Sequence, residues 1–156
     1  MVRQASVKSS KRVRHTTPKP PAIKAKSNLG PVREDDIKLI STSGTRHKGG
    51  GPGCEAWIVM AEGKRAGVAY INLLDDHMRG LHPSFHVFLN RPSQGRQIGR
   101  TVYKQCCLLS KYDVIYAHMR KSNAASRKAA EYGGFIDVTD RSDSQLVMVW
   151  HRKNDI

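Results

Sequence analysis

Apolar residues occur along the chain in short runs separated by polar and glycine-rich segments, and these runs predict strands. Two of them, residues 56–61 and 66–74, flank the tripeptide EGK, an arrangement typical of a β-hairpin. The segment DDHMRGLHP that follows is predicted to be a linker. The other runs predict a short strand at residues 37–40, strands in SFHVFLN and YDVIYAHM, and a closing hairpin at residues 135–138 and 146–150.

The spacing of apolar residues changes after the turn RPSQG. From Gly99 onward, Val102, Cys106 and Leu109 fall at i, i+4 and i+7, which predicts a helix with Cys106 in the core. A second short helix, AASRKAAEY, follows Asn123 as its N-cap and ends at the dipeptide GG. The order strand, hairpin, strand, helix, strand, helix, hairpin predicts an α/β (α+β) fold, in which helices flank a mixed sheet.

The first thirty residues show neither a helical nor a strand period, and their composition differs from that of the rest of the chain. They contain eight Lys or Arg, no Asp or Glu, and many Ser, Thr and Pro residues. Such a segment buries too little apolar surface to offset its ordering entropy. We therefore predict a disordered basic tail at residues 1–30 and a single folded domain at residues 31–156.

The whole chain carries 27 Lys and Arg against 13 Asp and Glu, a formal charge of +14. Basic chains attract polyanions, and non-specific contact of residues 3–26 with nucleic acid is one expectation, with a solubility or targeting role as the alternative. No apolar run of about 18 residues is present, so no membrane partner is expected. The three cysteines, Cys54, Cys106 and Cys107, suggest no disulfide framework, so a reducing cytoplasm is the expected location.

The turn between SFHVFLN and the first helix carries the clearest motif. FHVFLNRPSQGRQIGRTVYKQ resembles the cofactor-binding motif of the GNAT superfamily of acyl-CoA-dependent N-acyltransferases. That motif has Gln or Arg, two residues, Gly, one residue, and Gly or Ala between a strand and a helix. Gln97 departs from it, since it stands where the first motif glycine is usual. The motif positions are occupied by Gln94, Gly95, Arg96, Gln97, Ile98 and Gly99.

A second stretch, NAASRKAAEYGGF, resembles the second motif of the same superfamily. Its characteristic positions are filled by Asn123, Ser126, Ala130, Gly134 and Phe135. The two motifs lie about 25 residues apart and are separated by a predicted strand, and the resemblance covers roughly residues 55–151. In its short length and basic tail the chain resembles small members of the superfamily from bacteria and their phages. For a phage protein the location would be the host cytoplasm.

The resemblance implies a GNAT-type, mostly antiparallel sheet with a splayed central strand. It also implies acetyl-CoA as co-substrate and transfer of its acetyl group to an amine. In the superfamily, backbone N–H groups of the glycine turn bind the coenzyme A pyrophosphate, and the splayed strand binds the thioester. The residues that these roles assign to the cofactor are Val87, Leu89, Gln94, Gly95, Arg96, Gln97, Ile98, Gly99, Arg100 and Asn123.

Transfer to an amine also requires a group that takes up the amine proton. His86, on the strand of the first motif, is the predicted base because a neutral imidazole accepts a proton near pH 7. A structural histidine is the alternative reading of this residue. His82 and Glu55 are weaker candidates for the same role.

The leaving thiolate must be protonated or tolerated as an anion. In the superfamily a tyrosine on the second-motif helix often supplies the proton, but its position here is Ala130. Tyr132 lies about 200° round the helix from Ala130 and is predicted to pack in the core. Ser126, through a water molecule, and Tyr116 are the candidates that replace the tyrosine.

DDHMRGLHPSFH also suggests a metal site, through Asp75, Asp76, His77, His82 and His86. His82 and His86 have helical zinc spacing, but Pro83 between them favours a turn into a strand, so no metal is predicted.

The superfamily commonly builds its acceptor pocket from two helices before the hairpin. This chain has only about fifteen glycine-rich residues there, predicted to be a flexible loop, so an open acceptor side and a macromolecular acceptor, a protein or a nucleic-acid-associated target, are expected. The alternatives are a catalytically impaired GNAT-fold protein that binds nucleic acid or acts as an inhibitor, and a GNAT-like enzyme that modifies nucleic-acid bases.

Overall fold

The structure, a computed structural model, describes residues 29–154. The predicted disordered tail therefore lies outside the described residues, except for its last two positions. Neither α-helix of the described range has the length and apolar character needed to cross a bilayer. Within this range the elements are β1 (Ile37–Thr42), β2 (Glu55–Ala61), β3 (Lys64–Asp76), β4 (Gly80–Leu89), α1 (Ile98–Leu109), β5 (Val114–Met119), α2 (Ala124–Tyr132), β6 (Ile136–Asp137) and β7 (Leu146–His151).

The strands form one sheet in the order β1-β2-β3-β4-β5-β7-β6. Every neighbouring pair is antiparallel except β4 and β5, which run parallel. These two strands share a single register pair, Ser84 with Tyr116, and diverge beyond it. The predicted mixed, mostly antiparallel sheet with a splayed central strand is confirmed. The point at which β4 and β5 diverge is called the wedge below.

The predicted hairpins are both present, but the predicted linker between β3 and β4 is wrong. Strand β3 extends to Asp76 and strand β4 begins at Gly80, so only residues 77–79 form the turn. Pro83 lies within β4, opposite Leu73. Proline is tolerated in a strand that has a nearly unpaired edge, and the edge of β4 towards β5 is of this kind. Sequence patterning missed these strand ends because they are partly polar.

The core lies between one face of the sheet and the two helices, which pack against each other. Phe85 and Phe135 contact the ring of Tyr103 edge-on, with centroids 4.8 and 5.5 Å apart. Each buried side chain of this size stabilises the fold by about 1.5–3 kcal/mol. Cys106 is fully buried, as predicted, and so is Cys107, whose pKa burial raises to about 12.

The apolar stripe of α1 is wider and shorter than its sequence pattern predicts. Val102 and Cys106 are fully buried, but Leu109 is 61% exposed, because the buried face continues through Cys107 and Ser110 instead. The stripe includes Tyr103 and Cys107 instead. None of the buried thiols is available as a reactive group, since burial raises the pKa of both.

The opposite face of the sheet carries no helix of the described residues, and we call it the helix-free face. Residues 43–54, between β1 and β2, form a loop without a helix. The side chain of Asn72 holds this loop: its Oδ1 accepts from the backbone N–H of Gly49 and its Nδ2 donates to the carbonyl of His47, both at 2.9 Å. The predicted flexible loop is therefore tied to β3. The side chains that form this face at its centre are those of Tyr70, Asn72, His82, Ser84, His86, Phe88, Tyr116 and His118.

Candidate active site

A groove of about 660 Å3 runs along the start of α1 and the exposed side of α2. Its volume lies in the range typical of small-molecule sites, about 300–1,000 Å3. It is walled by the end of β4, the turn after it, and the two helices. The lining residues are Val87, Phe88, Leu89, Ser93, Gln94, Gly95, Gln97, Ile98, Gly99, Arg100, Tyr103, Asn123, Ala125, Ser126, Lys128, Ala129 and Tyr132.

The turn between β4 and α1 adopts backbone conformations that favour glycine at two positions. Gly95 has φ +74°, and Gln97, the N-cap residue of α1, has φ +61° and ψ +18°. A left-handed conformation costs a residue with a Cβ about 1–2 kcal/mol. Gln97 therefore departs from the motif at a position where glycine is the unstrained choice. This strain is carried at the rim of the groove, where functional sites commonly keep it.

The first turn of α1 offers the groove a positive potential. The opening N–H groups of a helix have no intrahelical partner and carry the positive end of its dipole. The side chain of Gln97 does not cap them, and no acidic residue lies in the first turn. Arg100, in the same turn, places its guanidinium 4.7 Å from the centroid of the Tyr132 ring. Such a helix start is suited to an anion such as phosphate.

Helix α2 presents a different face to the groove from the one that motif spacing predicts. Its N-cap is Asn123, as predicted, whose Oδ1 accepts from the N–H of Ser126 at 3.1 Å. Ser126, Ala129 and Tyr132 line the groove, whereas Ala130 is fully buried in the core. The prediction that Tyr132 packs in the core is wrong: its side chain is 47% exposed and its hydroxyl donates to Glu34 at 3.0 Å.

All the residues predicted to bind the cofactor line this groove except Arg96. The guanidinium of Arg96 points away and contacts both carboxylate oxygens of Glu62, at 3.1 and 3.2 Å. Its Nε donates to the carbonyl of Gly30, and its own carbonyl accepts from the N–H of Val32, both at 3.0 Å. Arg96 thus fastens the start of the described chain to the turn, while Arg100 supplies the cation at the groove.

Two histidines flank the wedge on the helix-free face. His86 lies two residues beyond Ser84 on β4, and His118 lies two residues beyond Tyr116 on β5. His86 stacks on the ring of Tyr70 with centroids 5.0 Å apart, and its Nε2 is 3.2 Å from the hydroxyl of Ser84.

The surroundings of His86 and His118 favour the neutral form of both, because they lower the pKa of each. Burial lowers the pKa of His86, and the nearby His118 lowers it further. Burial also lowers the pKa of His118, with additional contributions from His82 and Arg79. A neutral imidazole is the form that accepts a proton. Sequence analysis missed His118, although its position on the same strand face as Tyr116 was the available signal.

The remaining catalytic candidates are distributed over different parts of the molecule. Ser126 lies in the groove, whereas Tyr116 lies on the helix-free face, where its ring meets that of His82 at 4.9 Å. His82 is buried between these strands. Glu55 lies away from the groove and accepts hydrogen bonds from the Ser110 hydroxyl and the Lys111 N–H at the end of α1.

Comparisons with known proteins agree on the fold. No protein-family model and no curated protein sequence matches the chain. Solved structures do match. The N-acetyltransferase PseH from Campylobacter jejuni, in complex with acetyl coenzyme A, is 13% identical, with 66% of this chain and 71% of that chain covered and a TM-score of 0.51.

Two further matches are acetyltransferases crystallised with coenzyme A. The aminoglycoside acetyltransferase AAC(6')-Ib, with kanamycin, is 19% identical over 64% of this chain and 67% of that chain, with a TM-score of 0.53. The spermidine N-acetyltransferase from Vibrio cholerae, with spermine, is 18% identical over 64% and 66%, with a TM-score of 0.50. The chain has the GNAT acetyltransferase fold.

This GNAT fold is short on its acceptor side. Where the superfamily resemblance leads us to expect two helices, residues 43–54 supply only the loop held by Asn72. The aromatic ring of Phe88 is consequently 64% exposed beside the wedge, with the amino group of Lys48 5.5 Å from its centroid. On the helix-free face Phe88 is thus exposed at the end of β4, whereas Ser84, at the wedge itself, is fully buried.

Proposed function

We propose that this protein is an N-acetyltransferase that transfers the acetyl group of acetyl-CoA to an amine of a macromolecular acceptor. The observation that carries the proposal is the groove, because it runs from the uncapped start of α1 along α2 and the end of β4, the strand that borders the wedge. An anion site at one end of an elongated groove matches the shape and charge of a long phosphorylated thioester.

The start of α1 is the proposed site of the coenzyme A pyrophosphate. Its N–H groups and the Arg100 guanidinium supply the donors, and Gly95 and Gly99 leave room for the phosphates. Asn123 and Ser126 border the path from this site along α2. Binding of acetyl coenzyme A by PseH, a structure of the same fold, supports this choice of cofactor.

The thioester is proposed to lie in the wedge, beside the backbone of Val87 and Leu89. The acceptor amine approaches from the helix-free face and its nitrogen forms a bond to the thioester carbon. The amine proton passes to His86, the carbon–sulfur bond breaks, and coenzyme A leaves as a thiolate that is then protonated. Base catalysis of this kind contributes about 10²–10⁴-fold to a rate. Ser126 in the groove, through a water molecule, and Tyr116 on the other face are the proposed sources of the final proton.

A macromolecular acceptor is favoured by the short loop that stands where the superfamily commonly has two helices. A small amine needs an enclosing pocket to bind well, and the loop at residues 43–54 provides little enclosure. An exposed aromatic ring, Phe88, beside the wedge is a feature that a protein surface can cover. We therefore favour a protein amine, of a lysine side chain or a chain terminus, over a polyamine or an aminoglycoside.

Mass spectrometry of the acceptor tests this proposal. The full chain is incubated with acetyl-CoA and, separately, a lysine-rich protein, spermine or kanamycin. We expect the mass increase of one or more acetyl groups on the protein, with little product from either small amine. Acetylation of the small amines alone would contradict the acceptor class, and no product from any acceptor, in protein that binds acetyl-CoA, would contradict the enzyme.

A second candidate, a GNAT-fold protein that binds nucleic acid without catalysis, is favoured by one observation. The superfamily's tyrosine position, Ala130, is occupied by a small side chain buried in the core. This candidate requires that the full chain bind DNA with an affinity that falls steeply with salt, and that it show no affinity for acetyl-CoA. Deletion of residues 1–28 should then reduce the slope of log affinity against log salt by several units, whereas the enzyme requires acetyl-CoA binding to survive the deletion.

A further inference from the structure

Three potential metal ligands from three different strands meet on the helix-free face, beside the boundary between β4 and β5. They are Asp76 at the end of β3, His82 on β4 and His118 on β5. The Nε2 atoms of the two histidines are 2.9 Å apart, and the Asp76 Oδ2 atom is 4.0 Å from the Nε2 atom of His82. The potential ligand atoms of these three described residues all lie within 4.8 Å of one another.

The hydrogen bonding of His82 determines which of its two ring nitrogens carries the proton. Its Nδ1 is 2.8 Å from the carbonyl oxygen of Gly80, which can only accept, so Nδ1 carries the proton. In the neutral ring Nε2 then carries the lone pair, and at 2.9 Å it accepts a hydrogen bond from the Nε2–H of His118, the contact that a metal ion would replace. A carbonyl that fixes the tautomer through the far nitrogen is the arrangement that metal-binding histidines use. His82 is only 4% exposed, so the lone pair is turned away from bulk solvent.

The carboxylate of Asp76 is oriented by the backbone around it. Its Oδ1 accepts from the N–H groups of Met78 and Arg79, at 3.0 and 2.6 Å, which turns Oδ2 towards His82. The cation nearby, Arg79, is bound by another residue: Asp143 accepts from both of its terminal nitrogens, at 3.1 and 2.7 Å. The contact from Arg79 to Asp76 Oδ2 is longer, at 3.4 Å. Asp143 therefore balances the charge of the guanidinium, and the negative charge of Asp76 has no second cation to balance it in this cluster.

We propose that Asp76, His82 and His118 bind a divalent transition-metal ion, with Zn²⁺ as the leading candidate. Two imidazoles with one carboxylate favour Zn²⁺ and its neighbours over Mg²⁺ or Ca²⁺, which prefer oxygen ligands alone. Nitrogen ligands of tetrahedral Zn²⁺ lie about 3.3 Å apart for Zn–N bonds of about 2.0–2.1 Å. To admit the ion, the two Nε2 atoms must move apart from 2.9 Å, His118 must give up its Nε2 proton, and both rings must turn so that their lone pairs point at the metal.

The structure changes the histidine pair that sequence spacing suggests. His82 and His86 are not the pair, because they lie at different points along β4 and the Nε2 of His86 faces Ser84 instead. The partner of His82 is His118, which sequence separation and an intervening helix hide. The proposed site does not depend on acetyl transfer, since none of its three side chains lines the cofactor groove.

Titration of the chelator-treated full chain with Zn²⁺, followed by calorimetry, tests the site. We expect one high-affinity equivalent in the wild type. His118→Ala and the nearly isosteric Asp76→Asn should each lose at least tenfold in affinity. The matched control is His77→Ala, which removes an exposed histidine near the same turn and should leave the affinity unchanged. Co²⁺ loaded in place of Zn²⁺ should give visible ligand-field absorption that His118→Ala abolishes.

Equal Zn²⁺ affinity in the wild type and in folded Asp76→Asn and His118→Ala would overturn the proposal, as would the absence of saturable binding to the wild type. Circular dichroism establishes that each variant is folded. If one variant does not fold, the other and the Co²⁺ spectrum of the wild type decide the question. No acetyl-CoA is present in these measurements, so their outcome is separate from that of the proposed acetyltransferase activity.

Discussion

The two faces of the sheet use the same strands for different chemistry. On β4, Phe85, Val87 and Leu89 point to the helices and pack in or against the apolar core. Ser84 and His86, which alternate with these residues along the strand, point to the helix-free face and contact each other. Because successive side chains of a strand alternate between faces, one strand can border a cofactor on one side and an acceptor on the other. The wedge is the place where the two sides meet.

The helix-packed face is tested most severely by a charge at the start of α1. Gly99→Glu places a carboxylate beside the proposed pyrophosphate, in a turn that otherwise lacks acidic residues. We expect at least a hundredfold loss of acetyl-CoA affinity, measured by calorimetry. Gly99→Ala is the control: its Cβ would lie 3.7 Å from the Cβ of Ala129, an ordinary contact, and it should bind nearly as well as the wild type. Equal binding by a folded Gly99→Glu variant would remove the helix start from the site.

The helix-free face is tested by removal of the proposed base. His86→Ala should lower kcat by about 10²-fold or more, while acetyl-CoA affinity is retained because His86 does not line the groove. His77→Ala is the matched control, since it removes an exposed histidine and should keep full activity. A parallel loss of acetyl-CoA affinity in His86→Ala would show that the two faces are not separate in function.

The pH dependence of kcat/KM gives a second view of the same histidine. The base must be unprotonated, and its pKa is lowered by burial and by His118. Activity should therefore fall as the pH is lowered, with the midpoint of the acidic limb below the ordinary histidine value of about 6.5. A midpoint above that value would argue against a buried imidazole as the base. His86→Ala should lack this limb.

A smaller effect separates the two arginines of the turn. Arg100→Ala should weaken acetyl-CoA binding about tenfold, which corresponds to about 1.4 kcal/mol, because its guanidinium lies at the groove. Arg96→Ala should leave the affinity within a factor of about two, since that side chain is bound to Glu62 and Gly30. The reverse ranking in a titration of both variants would show that Arg96 turns towards the cofactor when it binds.

The smallest expected effect concerns the strained residue before α1. Gln97→Gly relieves a left-handed conformation that costs about 1–2 kcal/mol, and it adds about 0.4–1 kcal/mol of unfolded-state entropy. The net result should be a free energy of unfolding about 0.5–1 kcal/mol higher, seen as a higher urea midpoint at unchanged m. Gln94→Gly is the control, because Gln94 has φ −72° and should lose stability. A lower midpoint for Gln97→Gly would contradict strain at this residue.

Local features of the fold could be predicted from the sequence, because local patterns determine them. Alternation and glycine placement predicted both hairpins, and the turn with Gly95 and Gly99, which resembles a cofactor-binding motif, lies at the groove. The phase of α2 was not predictable from motif spacing alone. Ala130 was assigned to the cofactor side, whereas packing against the sheet directs it into the core and turns Tyr132 outward.

Contacts between strands that are distant along the chain could not be predicted from the sequence, for a different reason. His82 and His118 meet only because β4 and β5, separated along the chain by α1, lie side by side in the sheet. A change of one residue in the register of these strands would place the two rings on opposite faces. Arg96 is similar: its partner, Glu62, lies in the turn of another hairpin. Neither pairing has a local signal.

The central claim, that the groove binds the cofactor of an acetyltransferase, is tested most directly by calorimetric titration of the full chain with acetyl-CoA. The account predicts saturable binding of one equivalent, weakened by added salt because a pyrophosphate is held at the start of α1. It also predicts that pantetheine without the nucleotide diphosphate binds far more weakly. Absence of saturable heat from folded protein, or equal affinity for acetyl-CoA and pantetheine, would contradict the claim.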